Sequence, residues 1–173
     1  EREDLARLYG VTERKVSVVS AGVDIQLFRK LNKADSRSKL GLEEHNIILS
    51  VGRMEPLKGF DILLKSVAML GCASDTRLVI VGGDENRDSE MGRLESLAAE
   101  LGVLDLVTFA GAVDQKDLPV YYSAADIFVL PTYYESFGLV ALVAMACGLP
   151  VVASRLGGLR SFIDDGITGY LIP

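Results

Sequence analysis

Residues 131–154 read PTYYESFGLVALVAMACGLPVVAS. Glu135 stands just ahead of Phe137-Gly138, and an apolar helix is expected from there over Leu139–Cys147. Gly148 and Pro150 stop that helix, and the β-branched run Val151–Ala153 predicts a buried strand. The run is too short and too broken to cross a membrane. A helix start carries unpaired N–H groups and the positive end of a dipole, which suits a phosphate or a row of sugar hydroxyls. As a partner of that dipole Glu135 would contribute only about 0.3–1 kcal/mol. Two further roles are open to it: hydroxyl binder, or catalytic acid or base. No second carboxylate stands close in this segment, so a two-carboxylate hydrolase is not supported.

Working outward, apolar runs alternate with helical patterns. Strands are expected at Val16–Val19, Ile47–Val51, Leu78–Val81, Val107–Phe109, Ile127–Leu130 and Val151–Ala153. Helices are expected at Phe60–Leu70, Ser89–Leu101, Leu118–Ala124 and Leu139–Cys147. The polar, basic segment Arg29–Arg37 reads as a surface connection, and Asp126 as a helix end or turn cap. This alternation implies an α/β fold, a mostly parallel sheet with helices on both faces, whose ligands collect at the carboxyl ends of the strands.

Three glycine-containing turns follow strands on that rim: Gly52 to Gly59, Gly82-Gly83-Asp84, and Gly111. In the first, Arg53 and Lys58 are spaced so that both cations can reach one anion, Arg as a fork and Lys as a point charge. The ordinary alternative is two solvated surface charges, but a strand's carboxyl end opposite a helix start favours a ligand. Gly82-Gly83 reads mainly as a tight turn. Neither GxGxxG nor GxxxxGK[ST] is present, which argues against NAD and P-loop chemistry. Tyr133 and Tyr134 either stack on a ring or cover the rim.

The chain has 173 residues, 49% of them hydrophobic, and a net charge of -6. It is long enough for one domain with a real core. Its acidity argues against a general nucleic-acid binder. The two cysteines, Cys72 and Cys147, form no CxxC pair, and the single histidine, His45, sits in a polar stretch read as a surface loop. Cys147 reads as a small core residue, and free thiols fit a reducing cytoplasm. The chain opens on Glu1 in a helix-like stretch and ends just after a strand-like run, so it is expected to be part of a longer protein.

GRMEPLKG, the VGGD and FAGAV turns, AADIFVLPTYYESFGLVAL and GLPVVASRLGGL, in that order, resemble family 4 retaining glycosyltransferases, nearest the sucrose-phosphate synthase and mycothiol glycosyltransferase branch. The resemblance covers nearly the whole chain. It implies the Rossmann-like, three-layer C-terminal domain of a GT-B fold, one domain over residues 1–173 that binds a nucleotide-sugar donor. The N-terminal acceptor domain would be its partner, and the last C-terminal helices would lie beyond this segment. The donor expected is UDP-glucose or a relative. Arg53 and Lys58 would hold the diphosphate, Glu135 the hydroxyls of the transferred sugar, and the amides of Phe137, Gly138 and Leu139 the sugar and phosphate oxygens. Gly52 and Gly82 would line the donor site, and Val113 would sit near the base. No metal or other cofactor is expected, because the two cations and the helix dipole would replace it.

Two positions depart from the family pattern. Val143 stands where a second Glu holds ribose hydroxyls in similar proteins, and Arg160 stands where Pro is common. Val143 raises a second reading, a degenerate binding module without catalysis. An epimerase on the same fold is a more distant third.

Overall fold

Apolar runs become strands and the amphipathic stretches between them become helices, in a computed structural model that describes residues 2–17, 19–42, 46–71, 75–83 and 90–173. The expectations for His45, Cys72, Asp84 and Ser89 fall outside those residues. The elements are α1 (Arg2–Tyr9), α2 (Lys33–Leu40), β1 (Asn46–Val51), α3 (Phe60–Met69), β2 (Thr76–Val81), α4 (Glu90–Glu100), β3 (Val107–Gly111), α5 (Leu118–Ala124), β4 (Ile127–Leu130), α6 (Leu139–Ala146), β5 (Val151–Ser154) and β6 (Gly169–Ile172).

All strand pairs are parallel, in the order β3-β2-β1-β4-β5-β6. Alternate strand residues face opposite layers. Leu49, Val79, Phe128 and Val151 pack with Tyr122, Ala141 and Ala144 from α5 and α6. Leu78 and Ile80 pack with Leu64, Val67, Leu94 and Ala98 from α3 and α4. The result is a three-layer, Rossmann-like α/β/α fold. Its winding reverses between β1 and β4, and that reversal is where doubly wound sheets open a crevice at the strand carboxyl ends. β1 and β2 pair in register from Asn46↔Thr76 to Val51↔Val81, whereas β1 and β4 share only Ile48↔Ile127 and Leu49↔Phe128.

Two expectations need correction, and one strand is added. Val16, Ser17 and Val19 are not in a strand, and Val19 is 88% exposed. A β-branched run extends a sheet only where an edge accepts its hydrogen bonds, and here the edges are β3 and β6. The segment Arg29–Arg37 is not merely a connection, because α2 begins at Lys33. The Asn32 side chain caps it by accepting the Asp35 N–H at 3.1 Å, and Gly41 closes it. Lastly, Gly169–Ile172 forms a sixth strand beside β5.

Charge, and not an apolar stripe, docks α2. Asp126 accepts from Lys33 Nζ, from Arg37 Nη2 at 2.7 Å and from the Ile47 N–H at 2.7 Å. Desolvation pushes the Asp126 pKa up. The hydrogen bonds from Lys33 and Ile47 and the charges of Lys33 and Arg37 outweigh it and hold the carboxyl below its usual value.

Candidate functional site

β1 and β4 are neighbours, so the segments that follow them share the rim at the winding reversal. After β1 come Gly52 and Arg53, then one 3-10 turn, Pro56–Lys58, with proline at its start where no N–H donor is needed. After β4 the chain runs from Pro131 to Gly138 and enters α6. Gly59 makes the two segments touch. Its φ is +69°, and a Cβ there would overlap the Pro131 carbonyl oxygen. Two hydrogen bonds add to that contact: the Tyr133 N–H donates to Leu57 O at 2.9 Å, and Thr132 Oγ1 donates to Leu57 O at 2.8 Å.

This union turns Lys58 inward. Its Nζ lies 2.9 Å from Glu135 Oε2, with the two side chains only 16% and 12% exposed. The other oxygen, Glu135 Oε1, accepts the Gly138 N–H at 3.2 Å. Gly138 is the N-cap of α6 and has no side chain to satisfy the helix start. The amides of Ala141 and Leu142 donate back to Gly138 O at 3.0 and 3.2 Å. Among the described residues, no acceptor takes the amides of Leu139 and Val140. An ammonium, a carboxylate and free helix-start donors thus meet at one point, a set able to hold an anion beside hydroxyl groups.

Arg53 takes a different course from the convergence expected of it. It is 78% exposed, and its Nη1 lies 2.9 Å from Glu55 Oε1. The turn at Pro56 carries Lys58 toward the 131–135 segment and leaves Arg53 on the lip. It still borders a cavity of about 220 Å³ with Gly52, Gly82, Gly83, Val113 and Leu118. Gly82 is needed there, since a Cβ on it would overlap Gly52 O. Val113 also borders an adjoining cavity of about 510 Å³ with Lys39, Asp114, Asp117 and Tyr121. The three glycine turns therefore do share one rim.

Leu118 also borders a third cavity of about 250 Å³, lined by Asp24, Phe28, Gln115, Tyr122, Leu139 and Val143. Val143 is 7% exposed and belongs to the core cluster. Leu139 is half-exposed, and Tyr133 and Tyr134 are exposed. The Phe137 ring packs on Phe162, with centroids 5.5 Å apart. Arg160 donates its N–H to Leu156 O at 3.1 Å, a bond proline could not make.

Sequence reasoning missed Thr132 and Glu55. Thr132 did carry a signal, a polar residue just beyond Pro131 at the end of the apolar run Ile127–Leu130. Glu55 carried no signal that set it apart. Among the described residues, no group of three or more His, Cys, Asp or Glu could hold a metal, and no helix is long and apolar enough to cross a membrane.

The sequence pattern of the family described as "Glycosyl transferases group 1" matches residues 32–173. The chain is 44% identical over 179 aligned positions to a D-inositol 3-phosphate glycosyltransferase of Frankia alni, covering 99% of this chain and 44% of that protein. A solved structure of sucrose-phosphate synthase from Thermosynechococcus elongatus superposes with a TM-score of 0.83 at 38% identity, over 99% of this chain and 43% of the other. Anabaena HepE, solved in complex with UDP-glucose, superposes with a TM-score of 0.83 at 28% identity, over 96% of this chain and 46% of the other. The chain thus spans less than half the length of these relatives.

Proposed function

The chain belongs to the group 1 glycosyl transferases, and from that premise we propose that it is the donor-binding domain of a retaining enzyme that transfers a hexose from a nucleotide-diphosphate sugar. The observation that carries this reading is the junction of Lys58, Glu135 and the α6 start at the winding reversal. In the proposed complex the donor diphosphate sits on the free amides of α6. Lys58 and Arg53 offset the charge that grows on the leaving nucleotide. Glu135 orients hydroxyls of the transferred sugar. Val113 borders the space for the base.

UDP-glucose is the donor we favour, supported by its presence in the Anabaena HepE complex. The acceptor surface is assigned to a second domain, in keeping with relatives more than twice as long. Residues 1–173 alone should therefore transfer no sugar. A reducing cytoplasm suits the buried free thiol of Cys147.

Calorimetric titration with UDP and UDP-glucose tests the reading. Saturable binding that weakens at least about tenfold in Lys58→Ala is expected. Equal, non-saturable heats from both proteins would overturn it. A second reading, a module that keeps the fold but holds donor weakly, is favoured by the apolar burial of Val143. Micromolar binding by the natural chain would exclude that reading.

A further inference from the structure

Thr132 is 2% exposed, and its hydroxyl faces two carbonyl oxygens, Leu57 O and Tyr134 O, each at 2.8 Å. Leu57 directly precedes Lys58, and Tyr134 directly precedes Glu135. One buried proton donor therefore bridges the two peptide units from which the paired cation and carboxylate project. The hydroxyl carries a single proton, which the two carbonyl oxygens share. Leu57 O has a second donor in the Tyr133 N–H at 2.9 Å. Tyr134 O receives no other hydrogen bond from the described residues. The Thr132 side chain is itself shielded from solvent, although Tyr134 is exposed.

We propose that Thr132 is a positioning residue whose hydroxyl sets the spacing between Lys58 and Glu135, and through them the grip on the donor diphosphate. This rests on the donor reading of that pair. The backbone contact at Gly59 brings the two segments together, and Thr132 sets how their functional side chains meet. In Thr132→Val the shape is kept and the bridging proton is lost, so the two peptide units move apart and the pair lengthens. Thr132→Ser keeps the proton and the spacing.

The first test uses no ligand. The Gly138 N–H bonds Glu135 Oε1 at 3.2 Å, so its amide proton resonance reports where that carboxylate sits. In Thr132→Val the resonance should move toward its position in Lys58→Met, while Thr132→Ser leaves it in place. A Gly138 resonance unchanged in a folded Thr132→Val would overturn the proposal. The second test is UDP binding in a double-mutant cycle. Thr132→Val should weaken binding about tenfold in the natural background and less than about twofold in Lys58→Met. Equal losses in both backgrounds would show that Thr132 only supports the fold, and would overturn the proposal. Should Thr132→Val not fold, Thr132→Ala enters both tests under the same criteria. Failure of the natural chain to bind UDP would sink the donor reading, and the Gly138 resonance would still judge Thr132.

Discussion

Arg53 Nη1 sits 2.9 Å from Glu55 Oε1, so the outer cation of the GRMEPLKG loop is occupied by a carboxylate two residues further on. A diphosphate that takes Arg53 must compete with Glu55. Exposed pairs of this kind are worth about 0–1 kcal/mol. Glu55→Gln should therefore tighten UDP binding by up to about fivefold, with a steeper salt dependence. Calorimetry at two ionic strengths checks this, and weaker binding in Glu55→Gln would exclude competition.

Val143 presents a methyl surface where the resemblance implies a carboxylate, in a cavity also lined by Phe28, Leu118, Tyr122 and Leu139 and by the polar Asp24 and Gln115. Val143→Glu should raise UDP affinity about ten- to hundredfold if the ribose lies there. The same change should lower the melting temperature, because a charge enters an apolar wall. Unchanged affinity with a lowered Tm would place the ribose elsewhere.

Asp126 ties α2 to β1 and β4, and its folded pKa lies below its unfolded value. The folded state thus favours the charged form. The stability this group contributes is full above the unfolded value of about 3.9 and is lost as pH falls through the folded pKa. Asp126→Asn should cost about 1–2 kcal/mol at neutral pH, after allowing for partial exposure, and should flatten the acid side of a stability-against-pH curve. Urea melts between pH 7 and pH 3 measure both. A variant curve parallel to that of the natural chain would remove Asp126 from the acid response.

Burial pushes the Cys147 thiol up to about 11. At pH 8 roughly one thiol in a thousand is then ionised, so alkylation of the folded protein should be slow. Peptide mapping after iodoacetamide treatment should find Cys147 unmodified until denaturant is added. Rapid labelling in the native state would mean that α6 opens readily.

The sheet core was legible because parallel strands buried on both faces leave unbroken apolar runs, as in Leu78–Val81 and Ile127–Leu130. α2 was not, because charge and a cap hold it, and KADSRSKL offers no strong apolar stripe. Val16–Val19 misled for the opposite reason: it has the residues of a strand, yet its described residues pair with neither sheet edge, β3 nor β6. At the site, Lys58, Glu135 and Gly138 could be read from glycine spacing and helix signals. That Lys58 would bond Glu135 depends on how two loops 77 residues apart are pressed together. Local sequence carries no record of that contact.

The scant ladder between β1 and β4, two residue pairs long, makes the middle of the sheet a seam between two halves of the molecule. The Lys58–Glu135 bond crosses that seam. A nucleotide seated over it would act as a rivet, slowing amide exchange at Ile48, Leu49 and Phe128 more than in the outer strands. Occupancy of the site and cohesion of the whole domain would then rise and fall together.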